Sequence, residues 1–224
     1  MFIHQFLKKG SSHENFCEDY TFVQKFGDDF IVAGVLDGCS GGNESYFASA
    51  LFGKILKKKS IKISFSDFSD SESILKNLLY NTFIEIKIVS KILDLSTDEL
   101  LSTIILIVAD LKKTCGNIIC IGDGFVSING EKYLVDQNNA PDYIAYHLDK
   151  IENSDNFENW YKTQIYKYKF EKIDDITIST DGINSFITEI IKDEPKTSNE
   201  ITDYLTVDNN LINNKSMFGR KINI

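Results

Sequence analysis

Apolar and polar positions along the chain fall into blocks of two different periods. Phe2 to Lys8 reads as a first strand and Lys9 to Asn15 as a polar loop. Asp19 to Phe26 and Phe30 to Leu36 are β-rich runs on either side of Gly27-Asp28-Asp29, a hairpin signal. The second run is almost wholly apolar, which predicts a buried strand. It stops at Asp37-Gly38, and a glycine-containing loop leads into Asn43 to Lys59, where Phe47, Leu51, Ile55 and Leu56 recur at helical spacing.

A second helical pattern follows, with Ile74, Leu75, Leu78, Leu79, Phe83, Ile86, Val89 and Leu93 on one face. Ser69-x-x-Glu72 in front of it has the form of a capping box. Beyond Leu101 the period shortens. Thr103 to Leu111, Asn117 to Ile121, Phe125 to Ile128 and Lys132 to Val135 are strand-like, separated by Lys112-Lys113, Asp123-Gly124 and Asn129-Gly130. Asn-Gly is among the strongest hairpin signals. Phe157 to Ile173 mixes both periods, with a strand predicted in its second half. Ile176 to Thr180 is a strand ending at Asp181-Gly182, and Ile183 to Ile191 reads as a helix. Pro195 precedes two further helical stretches, Ser198 to Leu205 and Leu211 to Phe218. Strands, then two helices, then antiparallel strands, then helices predict an α+β layer arrangement rather than a wound parallel sheet. With no internal repeat or linker, residues 1–224 are expected to form one domain.

Composition changes this picture little, since 42% hydrophobic and 25% charged residues is ordinary for a globular chain. The formal charge of -9 argues against a nucleic-acid partner, which calls for a basic face. Cys17, Cys39, Cys115 and Cys120 lack CxxC spacing and are expected to be free thiols in a reducing compartment. There is no signal-peptide pattern at the N-terminus, and no apolar run reaches the roughly 20 residues that span a bilayer. The expected location is cytoplasmic, away from membranes.

The chemistry is carried by acidic stretches at predicted strand ends: Cys17-Glu18-Asp19, Asp37-Gly38-Cys39-Ser40-Gly41-Gly42, Gly122-Asp123-Gly124 and Ser179-Thr180-Asp181-Gly182. A single Asp-Gly at a strand end is an ordinary turn. Four in succession can converge on a hard divalent cation, which takes oxygen ligands. Cys39 follows Asp-Gly as a nucleophile might, but carboxylates nearby disfavour a thiolate, so a packed side chain is expected. Ser40 with His13 and an aspartate lacks a nucleophile-elbow pattern.

In order and spacing these residues resemble the metal-dependent protein phosphatases of the type 2C family, and most closely a compact bacterial branch that begins with Ser-His and Cys-Gln-Asp elements. The matching residues are Ser12-His13, Cys17-Glu18-Asp19, Asp37-Gly38-Cys39-Ser40-Gly41, Ser102-Thr103, Gly122-Asp123-Gly124 and Thr180-Asp181-Gly182. Asn139-Ala140-Pro141-Asp142-Tyr143 and Ala145-Tyr146-His147-Leu148 are similar to that branch too. The resemblance implies a four-layer α-β-β-α sandwich of two mainly antiparallel sheets, with two Mg²⁺ or Mn²⁺ ions at one end. It further implies that Asp37 bridges both ions and the Gly38 carbonyl binds one. Asp181 would bind the second, Asp19 and Glu18 would hold metal-bound waters, and Asp123 would serve a weaker third site. A hydroxide shared by the two ions would attack a phosphoserine or phosphothreonine of a protein substrate, with no protein nucleophile. His13 is either a contact to the phosphate and proton donor to the leaving alkoxide, or a loop histidine bonded to backbone.

One family element lacks a counterpart. Members carry a further aspartate, in an Asp-Asp or Asp-Asn pair, that opens the last central strand, whereas this sequence runs to Lys221-Ile222-Asn223-Ile224 without it. Asp174-Asp175 lies directly upstream of the strand leading to Asp181 and is not expected to take that place. The competing expectation is therefore a phosphatase-like module that binds a phosphoprotein or regulatory partner without turnover. A hydrolase of small phosphate esters is a third.

Overall fold

The computed structural model describes residues 2–10, 16–27, 29–63, 70–138, 140–185, 197–208 and 221. Two strands open the fold, β1 (Asp19–Phe26) and β2 (Phe30–Gly38), then two helices, α1 (Ser45–Ile61) and α2 (Ser71–Leu93). Four strands follow, β3 (Ser102–Asp110), β4 (Cys115–Ile121), β5 (Gly124–Ile128) and β6 (Glu131–Val135). The order ends with α3 (Ser154–Thr163), β7 (Lys167–Phe170), β8 (Ile176–Ser179) and α4 (Ser198–Thr206). Among the described residues no helix is long and apolar enough to cross a membrane.

The strands make a five-stranded sheet in the order β1-β2-β3-β4-β7 and a three-stranded sheet in the order β6-β5-β8, antiparallel throughout. Strand alternation divides the core in two. Ile104, Leu106 and Val108 of β3 join Leu75, Leu78, Leu79, Phe83 and Trp160 in the layer between the larger sheet and the helices. Ile105, Ile107 and Ala109 point the other way, to Val126 and Val135 of the smaller sheet. Every residue of β3 is buried for that reason, which explains its unbroken apolar sequence. Helix α4 forms the outer layer over the smaller sheet, tied to it by the Lys132–Asp203 ion pair and by the Thr177 hydroxyl donating to the Thr206 carbonyl. This is the expected α-β-β-α order.

Local chemistry fixes the turns. Asn129 and Gly130, both at positive φ (53° and 88°), join β5 to β6 as the Asn-Gly signal predicts. The Asn129 side chain also accepts from the Asp174 and Asp175 amides and so anchors the entry to β8. Helix α2 is capped by Asp70, whose carboxylate accepts from the Ser73 amide at 2.8 Å; Ser69 of the expected Ser69–Glu72 box lies outside the described residues.

Several expected elements differ. Phe2 to Lys8 is not a strand: its link to β1 is the Gln5 side-chain amide on the Thr21 carbonyl, and Phe2 and Leu7 are exposed. Without a backbone ladder, apolar residues in sequence do not make a strand. Phe157 to Ile173 is split, its first half completing α3 and its second giving β7. The helix expected from Ile183 begins instead as a 3₁₀ turn, Asp181–Asn184; residues 186–191 lie outside the described set, as does Leu211 to Phe218.

The contact of β3 with β4 tolerates no added volume at Gly116. A Cβ there would stand 2.4 Å from both the Val108 carbonyl oxygen and the Phe170 ring. Backbone cannot swing aside as a flexible side chain can, so Gly116→Ala is expected to cost about 1–3 kcal/mol of stability. Urea unfolding checks this, an unchanged midpoint being the contrary result.

Candidate functional site

The hairpin β1–β2 pairs Asp19 directly opposite Asp37, and residues facing each other in a ladder project to the same side. Alternation puts that side toward the smaller sheet, where Asp181 opens the 3₁₀ turn that follows β8. Four carboxylates thereby act on one another. The influences on Asp37 are loss of water, then the charges of Asp19, Asp181 and Glu18, then a hydrogen bond with Asp181. Together they push the Asp37 carboxyl from its ordinary 3.8 up to about 8.

The loop after β2 is held tightly. The Asp37 amide donates to the Thr103 hydroxyl at 3.2 Å, the Gly38 amide to the Glu18 carbonyl at 3.0 Å and the Cys39 amide to the Leu101 carbonyl at 3.0 Å. Ser40 Oγ donates to Glu18 Oε2 at 2.6 Å, so this serine fixes a carboxylate and is not the nucleophile of a triad. Gly42 is required by packing, because a Cβ would meet the Asp98 carbonyl oxygen at 2.6 Å. Cys39 packs against the core cluster that holds Tyr143, as expected for a packed side chain. Cys17 Sγ lies 3.8 Å from Asp19 Oδ2, and burial with the neighbouring carboxylates pushes its thiol up, away from thiolate chemistry.

Asp123 stands at the mouth of β5, after Gly122 at φ +86°. Its Oδ1 accepts from the Gln137 amide at 2.7 Å, and the charges of Asp136 and Asp181 reach it. Burial is the largest influence and raises its pKa. Asp174 and Asp175 sit at the other end of β8, beside Asn129, apart from this group as expected. His13 and Ser12 lie outside the described residues.

This geometry suits a divalent cation. The donors are oxygens alone, the set suited to Mg²⁺ or Mn²⁺, and the ionised form of Asp37 is disfavoured by its own neighbours. A cation reverses that penalty, so the residues fit one. Among the described residues no three His, Cys, Asp or Glu side chains close on a single point tightly enough to hold an ion unaided. Water must therefore complete any such site, as Mg²⁺ sites usually allow.

Comparison with known proteins decides the family. The protein phosphatase 2C family model matches residues 9–214. The chain belongs to the protein phosphatase 2C family. No curated protein matches the chain. Among solved structures, a bacterial serine phosphatase aligns with TM-score 0.62 at 13% identity, covering 100% of this chain and 91% of its own. The serine/threonine phosphatase Stp1 from Staphylococcus aureus aligns with TM-score 0.60 at 12% identity, covering 100% and 90%. RsbX in complex with magnesium aligns with TM-score 0.50 at 15% identity, covering 93% and 82%. At such identities the likeness is one of fold. The phosphatase 2C family as a whole is metal-dependent.

Sequence reasoning missed Gln137, Tyr143 and Thr103 as parts of this site. Thr103 and Tyr143 stood in quoted motifs without a task, and Gln137 acts through its backbone amide, which leaves no trace in residue type.

The raised pKa of Asp37 sets a sign for stability. The folded state keeps the proton to about pH 8 while the unfolded chain releases it near 3.8. The contribution is therefore fully present below pH 3.8 and is lost as pH rises through about 8. In metal-free buffer above pH 8, Asp37→Asn is expected to be more stable than the native chain by about 1–3 kcal/mol, a gap that closes as pH falls to 4. Thermal melts across this range check it; a variant less stable at every pH is the contrary result.

Proposed function

We propose that this chain is a metal-dependent protein serine/threonine phosphatase that hydrolyses phosphoserine and phosphothreonine. The observation that carries the reading is the gathering of Glu18, Asp19 and Asp181 around Asp37; burial and these charges raise its pKa above the usual carboxylate range, a penalty that a bound cation would relieve. Family membership supports it. In this reading Asp37 serves both cations, the Gly38 carbonyl serves one and Asp181 the other. Glu18 and Asp19 hold the surrounding water, and Asp123 serves a weaker third ion. When bound, such cations supply an acidified water and neutralise charge on the phosphoryl oxygens.

The chain's own residues hold the frame. Thr103 and the Glu18 carbonyl fix the backbone at Asp37 and Gly38, and Ser40 orients the Glu18 carboxylate. A cluster of carboxylates in a chain of charge -9 repels a phosphate monoester, so substrate approach depends on the same cations. His13 is assigned the proton returned to the leaving alkoxide, a task for a group titrating near neutrality.

A second reading, a phosphatase-like module that binds a phosphoprotein without turnover, is favoured by the missing three-ligand convergence among the described residues. One experiment separates the two. With excess Mn²⁺ the purified chain is expected to hydrolyse a phosphothreonine peptide faster than p-nitrophenyl phosphate, and Asp37→Asn to lower that rate by about 100-fold or more. A native rate equal to that of Asp37→Asn overturns the enzymatic reading. Saturable peptide binding alongside that result supports the module. Small phosphate esters as the better substrates would point to the third class.

A further inference from the structure

The segment from Asp136 to Leu148, which carries the Asn-Ala-Pro-Asp-Tyr motif, has no task in the chemistry above, yet it reaches the carboxylates at two points. The Gln137 amide donates to Asp123 Oδ1 at 2.7 Å. Tyr143 is buried in the core cluster against which Cys39, in the loop after Asp37, packs. Between these points the segment is braced internally. Gln137 Oε1 accepts from the Asp142 amide at 2.5 Å, and Asp142 Oδ1 accepts from His147 Nε2 at 2.7 Å. His147 in turn lies against Trp160 of α3, with ring centroids 5.7 Å apart, while Ile144, Ala145 and Leu148 are buried in the core beneath the helices.

Three hydrogen bonds, joined through the backbone of Asp142 and Gln137, therefore lead from the helical layer to Asp123: His147 to the Asp142 carboxylate, the Asp142 main-chain amide to Gln137, and the Gln137 main-chain amide to Asp123. A half-buried carboxylate on a turn at positive φ has rotamers to lose when it takes up a ligand. Committing one oxygen to the Gln137 amide removes that freedom beforehand and leaves the other as the donor. The amide is placed to do so while Gln137 is itself held, and the Gln137 side chain is held by the main-chain amide of Asp142, whose own position is fixed by its carboxylate on His147.

We propose that Gln137, Asp142 and His147 are positioning residues for Asp123, a relay that orients the third carboxylate for a weakly bound divalent cation. The proposal rests on the reading of Asp123 as a cation ligand. It gives Gln137 and Asp142 a task apart from the core packing of Ile144, Ala145 and Leu148. The effect belongs to orientation, not charge, and that difference is measurable. Asp142→Ala and Asp142→Asn delete the same charge, but only asparagine keeps an oxygen for His147.

The test is a Mn²⁺ titration of the full chain, followed by the electron paramagnetic resonance of the free ion. The native chain is expected to bind in a tighter and a weaker class, and Asp123→Asn to lose the weaker one. Asp142→Ala and His147→Ala are each expected to weaken the weaker class about tenfold, and the double variant no further. Asp142→Asn should stay within about twofold of the native chain. The tighter class should be unchanged throughout, which reports a folded site. Equal effects of Asp142→Ala and Asp142→Asn, or none from Asp142→Ala, overturn the relay while leaving Asp123 a ligand. Loss of both classes in Asp142→Ala also overturns it, because the segment then serves the fold. A titration of Asp123→Asn identical to the native one removes Asp123 as a ligand and the relay with it.

Discussion

Repulsion among carboxylates at the end of the strands is the constraint around which this molecule is arranged. Antiparallel register puts Asp19 opposite Asp37, and the approach of β8 adds Asp181. Left in water, these side chains would separate. Here they are attached to strands whose spacing is dictated by backbone ladders and by apolar packing on both faces of β3, so the charges stay together and Asp37 holds its proton far above the usual carboxylate range. A cation relieves what the fold imposes. That coupling links the scaffold to a metal-dependent chemistry.

The rest of the site stiffens that arrangement. The chain after β2 is pinned from one side by Glu18 and from the other by Leu101 and Thr103, and Gly42 admits no side chain against the Asp98 carbonyl. Of the two residues whose chemistry most invites a nucleophile, Ser40 is bonded to Glu18 and Cys39 packs against the core. In the proposed metal-dependent reaction no side chain is the nucleophile, and such rigidity would then matter more than reactive side chains, because catalysis depends on where ions and water are placed.

Much of the fold was legible because its elements have strong periods. The buried β2 and β3 runs, the long α2 stripe and the Asn129-Gly130 turn carry signals that tertiary contacts reinforce. The carboxylates were legible as an ordered set, although no single Asp-Gly was informative. What escaped notice lacks a period. Phe2 to Lys8 carries its apolar residues in pairs, Phe2-Ile3 and Phe6-Leu7, with no strand period, and α2 is capped by Asp70, whose carboxylate meets the Ser73 amide. The Gln137–Asp142–His147 path escaped because two of its bonds use backbone amides, which any residue could donate.

Anomalous scattering from a manganese-soaked crystal tests the central claim most directly, since it locates ions without reference to activity. The predicted result is density between Asp37 and Asp181, within ligand distance of the Asp37 carboxylate. Manganese bound elsewhere, or a fully exchanged crystal with none at Asp37, would contradict it.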